Sequence, residues 1–385
     1  MTERMRVAMV AMDFHREGGS EGRTGQLVDA LLTAGHEVHL VGARIRGDWD
    51  PRVIRQVVPV APRPKWLETL TFIRGAQGVV ARTPFDVIHN QIRPYLAGLV
   101  TVGGGCHRFY LEEVLPRERG PLAAWARRIS PLHRILLALE RRRYRAEGNT
   151  WVIANSRLNR DGILAHYPLP ADRIRVVYNG VDPERFTPQN TARFRADTRR
   201  ILELQDQDVA LLFVGGNFSR KGLGLILEAV ARAGPVGTRM RVVVVGGRRS
   251  AGWDRRVRAL GLDARVRFVG PVTEPERYYA AADVFVLPTY FDPFANATLE
   301  AMAAGLPVVT SRMNGAAEIL TPGTDGYILD DPPGAPGLAK LLVELADADL
   351  RRAMGQAARS TAMRFPWRAT ALATLETYRA MRGVR

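Results

Sequence analysis

Arg220 and Lys221 stand side by side in GGNFSRKGL, residues 215–223, and here the sequence first suggests chemistry. Of 55 basic residues only Lys65, Lys221 and Lys340 are lysine, so position 221 departs from a strong arginine bias. Two cations beside a helix start expected near Gly222 suit phosphate oxygens. Arginine offers a fixed planar fork, lysine a compact mobile charge, and helix-start amides point the same way. Such groups speed the breaking of a bond to phosphate when they meet the departing charge more strongly in the transition state than before it. A second pair is acidic. In LPTYFDPFANATLEAMAAG, residues 287–305, seven residues separate Asp292 from Glu300. With the loop ending near Ala295, Asp292 falls at the mouth of a cleft and Glu300 in the first turn of the next helix. A carboxylate there can accept both hydroxyls of a ribose.

Other signals bound the reading. FHREGGSEGRTGQ, residues 14–26, is a loop between a first strand and a first helix, where Gly18 and Gly19 allow a ligand close to the backbone. It is not G-x-G-x-x-G, which argues against a nicotinamide cofactor. In "RKG" the lysine precedes the glycine, so there is no Walker loop. DQD at 206–208 and DAD at 347–349 imitate a metal-binding D-x-D. The first precedes a strand instead of following one, the second lies in a helical acidic patch, and both are expected to be solvated surface. No metal is predicted.

These residues need a scaffold. RVAMVAM, EVHLVGA, FDVIHN and TWVIANS alternate with amphipathic helical segments, and after residue 200 the rhythm restarts with VALLFVGG, MRVVVVGG, VRFVG, DVFVLPT and PVVTS. Apolar strands separated by helices predict a parallel sheet covered on both faces. Two such series predict an α/β protein of two doubly wound, Rossmann-like domains facing across a cleft. The seam falls in VVYNGVDPERFTPQN, giving domains 1–178 and 179–365. Ligands of such sheets bind outside the carboxyl ends of the strands.

The net charge of +16 implies an anionic partner. The densest basic stretch, residues 122–148, carries Arg127, Arg128, Arg141, Arg142 and Arg143 beside apolar residues at helical spacing, with Pro131 expected to break it into two helices. It can lie on an anionic membrane surface, or pack on the core with a solvated arginine face. No nucleic-acid-binding motif is present. The single Cys106 forms no internal disulfide, which fits a reducing compartment. No apolar run reaches the ~20 residues of a membrane span, and the N-terminus reads as a first strand instead of a signal peptide. The expected location is the cytoplasm, at the inner face of the cytoplasmic membrane if the basic stretch docks there.

The segment around Asp292 and Glu300 resembles the E-x7-E region of retaining glycosyltransferases of family 4, which have the GT-B fold. FVGGNFSRKGL is similar to that family's phosphate-binding strand and loop, and the combination is most like the lipopolysaccharide-core glucosyltransferase branch. GHEVHLVG, VIANSRLNRDGI and VVYNGVD extend the likeness into the N-terminal half. The resemblance implies that Glu300 binds the nucleotide ribose and that Arg220 and Lys221 bind the diphosphate, with Gly216 and Asn217 in the same loop. Phe294, Ala295, Asn296 and Ala297 would present backbone amides to the donor. Asp292 stands where the family more often has glutamate, at a donor-sugar contact, and Glu318 matches a further acidic position. Gly18 and Gly19 would lie near the donor phosphates. His107, in TVGGGCHRFY, would bond the sugar or relay a proton, the alternative being a structural histidine. A C-terminal helix, residues 366–385, would cross back to the first domain. The implied activity is metal-independent transfer of a hexose from a nucleotide sugar, UDP-linked or GDP-linked, to a lipopolysaccharide core or other membrane-associated glycan. Two other readings remain: a non-catalytic nucleotide-sugar or glycan binder of the same fold, and a Rossmann-type oxidoreductase.

Overall fold

The computed structural model describes residues 4–15, 19–91, 96, 98–145, 150–331 and 333–383. The chain divides into two compact units, Met1–Gly180 with Trp367–Arg385, and Val181–Pro366.

Unit 1 is built on a parallel sheet of β1 (Arg6–Phe14), β2 (Glu37–Ile45), β3 (Ile54–Val57), β4 (Val87–Asn90), β5 (Leu99–Val102), β6 (Trp151–Ala154) and β7 (Ile174–Val176), in the order β3-β2-β1-β4-β5-β6-β7. Its central strands are apolar on both faces because helices cover both sides. Val7, Met9, Val38, Leu40, Leu99 and Ile153 are all buried. The helix Trp367–Gly383 belongs to this unit and buries Ala371, Leu375, Tyr378 and Met381 in the same core. There the Tyr378 hydroxyl lies 2.7 Å from His89 Nδ1, and His89 Nε2 lies 2.6 Å from Thr101 Oγ1. Residues 121–143 form two helices, Pro121–Ile129 and Pro131–Arg143, because Ser130 between them is extended.

Unit 2 repeats the plan with β8 (Val209–Val214), β9 (Met240–Val245), β10 (Val266–Gly270), β11 (Val284–Leu287), β12 (Val308–Ser311) and β13 (Gly326–Leu329), in the order β10-β9-β8-β11-β12-β13. All pairs are parallel. The chain builds outward from β8 to β10 and then returns to β11 on the other side of β8. At this reversal the loops after β8 and β11 diverge and leave a crevice above the sheet. The start of β11 is fixed by Asp283, whose carboxylate accepts from Ala210 N (2.7 Å), Arg195 (2.7 Å) and Arg199 (3.1 Å).

The first D-x-D look-alike requires a correction, whereas Asp347 and Asp349 of the second are exposed, as expected. Asp208 is buried, pairing with Arg241 at 3.0 Å and accepting Gln205 N at 2.8 Å. It is a structural carboxylate and not solvated surface, since the arginine that neutralises it arrives from β9. Asp347 caps the helix Ala348–Ala362 by accepting Asp349 N and Leu350 N.

Candidate functional site

The loop leaving β8 holds Arg220 and Lys221 by its own hydrogen bonds. Asn217 Oδ1 accepts Arg220 N at 3.1 Å, a capping-type bond to the third residue on, and Asn217 O accepts Lys221 N at 2.9 Å. Gly222 then turns the chain with φ of 79° into the helix Leu223–Arg232. Only glycine fits there: the φ is left-handed, and a Cβ would collide with the carbonyl of Pro288 in the loop after β11. The two loops are joined further by Arg220 O, which accepts Thr289 Oγ1 at 3.0 Å and Tyr290 N at 2.8 Å.

The loop after β11 is set by a buried residue of another segment. Asn314 Oδ1 accepts Ala295 N and Ala316 N, each at 3.1 Å, while its amide nitrogen donates to Thr298 and Thr310 hydroxyls, each at 2.9 Å. All four hydrogen-bonding positions of the amide are used. Ala295 precedes the helix Asn296–Ala303, so a distant asparagine performs the capping that the local sequence lacks.

Lys221 Nζ meets Asp292 Oδ2 at 3.2 Å, with side-chain exposures of 15% and 11%. Arg220 is half-buried, and its Nε finds no hydrogen-bond partner among the described residues. Glu300 is the fifth residue of its helix and therefore lies in the second turn, not the first. It is partly buried, and Tyr279 donates its hydroxyl to Oε2 at 2.7 Å. Burial pushes this carboxyl above the ordinary range, while the Tyr279 bond and the charges of Arg185 and Lys221 oppose the rise. Glu318 lies in the short turn Gly315–Ile319 that follows Asn314. Beside the loop after β8, Phe218, Gly246, Gly247, Arg249, Phe268 and Pro271 line a pocket of about 230 Å3 at the carboxyl ends of β9 and β10.

One unit thus brings Arg220, Lys221, Asp292 and Glu300 to a single crevice, with Gly216, Asn217 and residues 294–297 in the same two loops. His107 belongs to unit 1, after β5. Its Nε2 lies 3.0 Å from His133 Nδ1, and buried Glu140 accepts the backbone N–H groups of His107 (2.8 Å) and Arg108 (3.0 Å) and the Tyr167 hydroxyl (2.8 Å). Gln91, Thr101, Gly103, Gly104, Gly105 and His107 help to enclose a cavity of about 50 Å3 there. Gly19 opens the helix Gly19–Thr33, whereas Gly18 lies outside the described residues. On the helix Pro121–Ile129, Leu122, Trp125 and Ile129 are 82%, 62% and 54% exposed. Arg128, Arg141 and Arg142 are also exposed, and Arg127 and Arg143 half-buried. Among the described residues no helix is long and apolar enough to cross a membrane, and no three His, Cys, Asp or Glu side chains cluster as metal ligands.

Sequence reasoning missed Asn314, Tyr279 and Thr289. Only "SRMNGAAE" could have hinted at the first, through a turn-forming Asn-Gly.

Residues 17–185 match the family described as Glycosyltransferase Family 4, and residues 208–348 the family described as Glycosyl transferases group 1. A D-inositol 3-phosphate glycosyltransferase of Salinispora arenicola is 32% identical over 241 residues, 59% of this chain and 54% of that protein. Its counterpart in Streptomyces bingchenggensis is 33% identical over 247 residues, 61% and 54%. The chain spans about half the length of these curated relatives. WaaG, a glycosyltransferase involved in lipopolysaccharide biosynthesis, superposes with a TM-score of 0.81 at 22% identity over 96% of this chain and 98% of that one. Anabaena HepE, solved in complex with UDP and glucose, gives 0.71 at 18% identity over 97% and 99%. The chain thus has the fold of these solved structures, two Rossmann-like α/β domains, and each half of its sequence is similar to a glycosyltransferase family.

Proposed function

We propose that the chain is a retaining hexosyltransferase that moves a sugar from a nucleotide sugar, UDP-linked in the first instance, to a lipopolysaccharide core or another membrane-associated glycan. The observation that carries this reading is the convergence of Arg220, Lys221, Asp292 and Glu300 at the strand-order reversal of one sheet. In the reaction Arg220 and Lys221 meet the charge that builds on the departing diphosphate, which needs no metal ion to do so. Glu300 accepts the ribose hydroxyls, with Tyr279 fixing one of its oxygens. The neighbouring pocket on Phe218 and Phe268 takes the base. The sugar–phosphate bond breaks as the nucleoside diphosphate leaves from the face on which the acceptor hydroxyl attacks, so the anomeric configuration is kept. His107, held by Glu140 and His133, serves as a polar group for sugar or acceptor. Exposed Leu122, Trp125 and Ile129 beside a row of arginines suit the surface of an anionic membrane, at its cytoplasmic face.

Incubation of the protein with labelled UDP- and GDP-sugars and a core-oligosaccharide acceptor tests the reading. The expected product is a glycoside with the donor's anomeric configuration, read by NMR. Inversion of that configuration would sink the retaining mechanism, and donor binding with neither transfer nor hydrolysis would favour a non-catalytic binder. Binding of nicotinamide nucleotides in place of nucleotide sugars would favour the oxidoreductase reading.

A further inference from the structure

Resting on that reading, we propose that Asp292 competes with the diphosphate for Lys221, positioning the ammonium and limiting how tightly the nucleoside diphosphate is held. The carboxylate takes a place at Lys221 that a phosphate oxygen takes in the reaction, and the two anions share one small cation.

The backbone on both sides is fixed. Asp292 N donates to Met313 O and Gly315 N donates to Asp292 O, each at 2.9 Å, and Asp292 Oδ1 accepts Phe294 N at 3.3 Å. On the other side, Lys221 N is bonded to Asn217 O, and the stem of Lys221 lies against Gly215 so closely that a Cβ there would overlap its Cδ. Gly222 is jammed beneath Pro288. Neither charge can leave by loop movement without breaking these bonds, so the exchange is a matter of side-chain rotation alone. One oxygen of Asp292 already serves Phe294 N, which leaves Oδ2 as the atom that yields Lys221 to the incoming phosphate.

An anion beside an anion-binding lysine has two consequences of opposite sign. It keeps the ammonium aimed into the crevice, and it repels the phosphate that the ammonium must hold. After transfer the nucleoside diphosphate is a product, and weaker binding favours its release. Asp292 therefore acts through Lys221, as a positioning residue, in addition to any contact with the sugar.

Calorimetric titration of UDP and GDP into the wild-type protein and into D292N, D292S, K221Q and D292N/K221Q tests this, with melting curves as a check on folding. D292N is expected to bind UDP about tenfold more tightly than the wild type, with the gain abolished in the K221Q background. D292S removes the same charge with a smaller side chain and gives the same direction if D292N does not fold. Steady-state inhibition by UDP should tighten in parallel. UDP affinity unchanged or weakened in D292N, or a gain that survives K221Q, overturns the proposal. A residue that touches only the sugar would instead leave UDP binding unaltered and weaken the UDP-sugar alone. If the wild-type protein binds neither UDP nor GDP, the proposed function fails and this inference with it. Binding by the wild type without a gain in D292N removes this inference only.

Discussion

The side-chain oxygen of Asn314 accepts the backbone N–H of Ala295 at 3.1 Å, fastening the loop that bears Asp292 to the turn after β12. That single amide also holds Thr298, Thr310 and Ala316, so the shape of the crevice depends on a residue that is itself wholly buried. Asn314→Ala leaves these partners without their bonds and is expected to cost about 1–3 kcal/mol of stability. Urea unfolding measures the loss, and UDP affinity should fall with it. An unchanged midpoint would show that the loop holds its shape unaided.

Glu300 gives a pH signature. Burial raises its folded-state pKa above the unfolded value, so between those two values the folded protein binds the additional proton. Stability from this group is full below the unfolded pKa and declines as pH rises through the folded one. Glu300→Gln removes that decline, so the variant should gain in melting temperature over the wild type on going from pH 4 to pH 8, while binding UDP more weakly. Parallel melting curves for the two proteins across that range would exclude the assigned cause.

Two glycines in one loop should behave differently. Gly222→Ala forces a side chain into left-handed backbone and against the Pro288 carbonyl, with an expected cost of about 2 kcal/mol or more. At Gly216 a Cβ meets nothing within 4 Å, and Gly216→Ala should stay within about 0.5 kcal/mol. Equal effects would mean that the joined loops move apart at little cost.

Lys221→Arg preserves charge and replaces a compact ammonium by a longer planar group on a stem that lies flat against Gly215. Turnover should drop by about a hundredfold, the scale of losing one transition-state donor, with the melting temperature little changed. Lys221→Ala should likewise lower kcat much more than donor affinity. Full activity in the arginine variant would make the lysine incidental.

The helix Pro121–Ile129 should bind vesicles containing anionic lipid, and the binding should fade as salt rises past ~0.15 M. Leu122→Ser with Trp125→Ser should weaken it at constant charge. Binding indifferent to salt and lipid charge would leave the exposed apolar residues without this role.

The longer strands of both sheets are legible in the chain because strands of a covered parallel sheet are nearly continuous apolar runs, and VALLFV and MRVVVV need no partner to be recognised. The three- and four-residue strands β3, β5, β7 and β13 do not stand out. Arg220, Lys221 and Glu300 stood out because each site loop follows its strand directly. Asn314 did not, since it acts on Ala295 from another loop and carries no charge. The start of the helix after Ala295 is legible in the sequence, and Glu300, its fifth residue, falls in the second turn by residue count alone. Asp208 reads as surface in the sequence because its partner, Arg241, arrives from a neighbouring strand. His107 looked solitary in the sequence, but the fold brings up His133 and Glu140 beside it.

The bond between His89 and Tyr378 joins residues 289 positions apart, and residues 181–366 form a unit of their own in between. On the ribosome, unit 2 has all of its strands before the helix that completes unit 1 has been made. The first half of the chain must therefore wait, with the groove for Leu375 and Tyr378 uncovered, while the second half folds ahead of it. Order of synthesis and order of completion run in opposite directions in this protein.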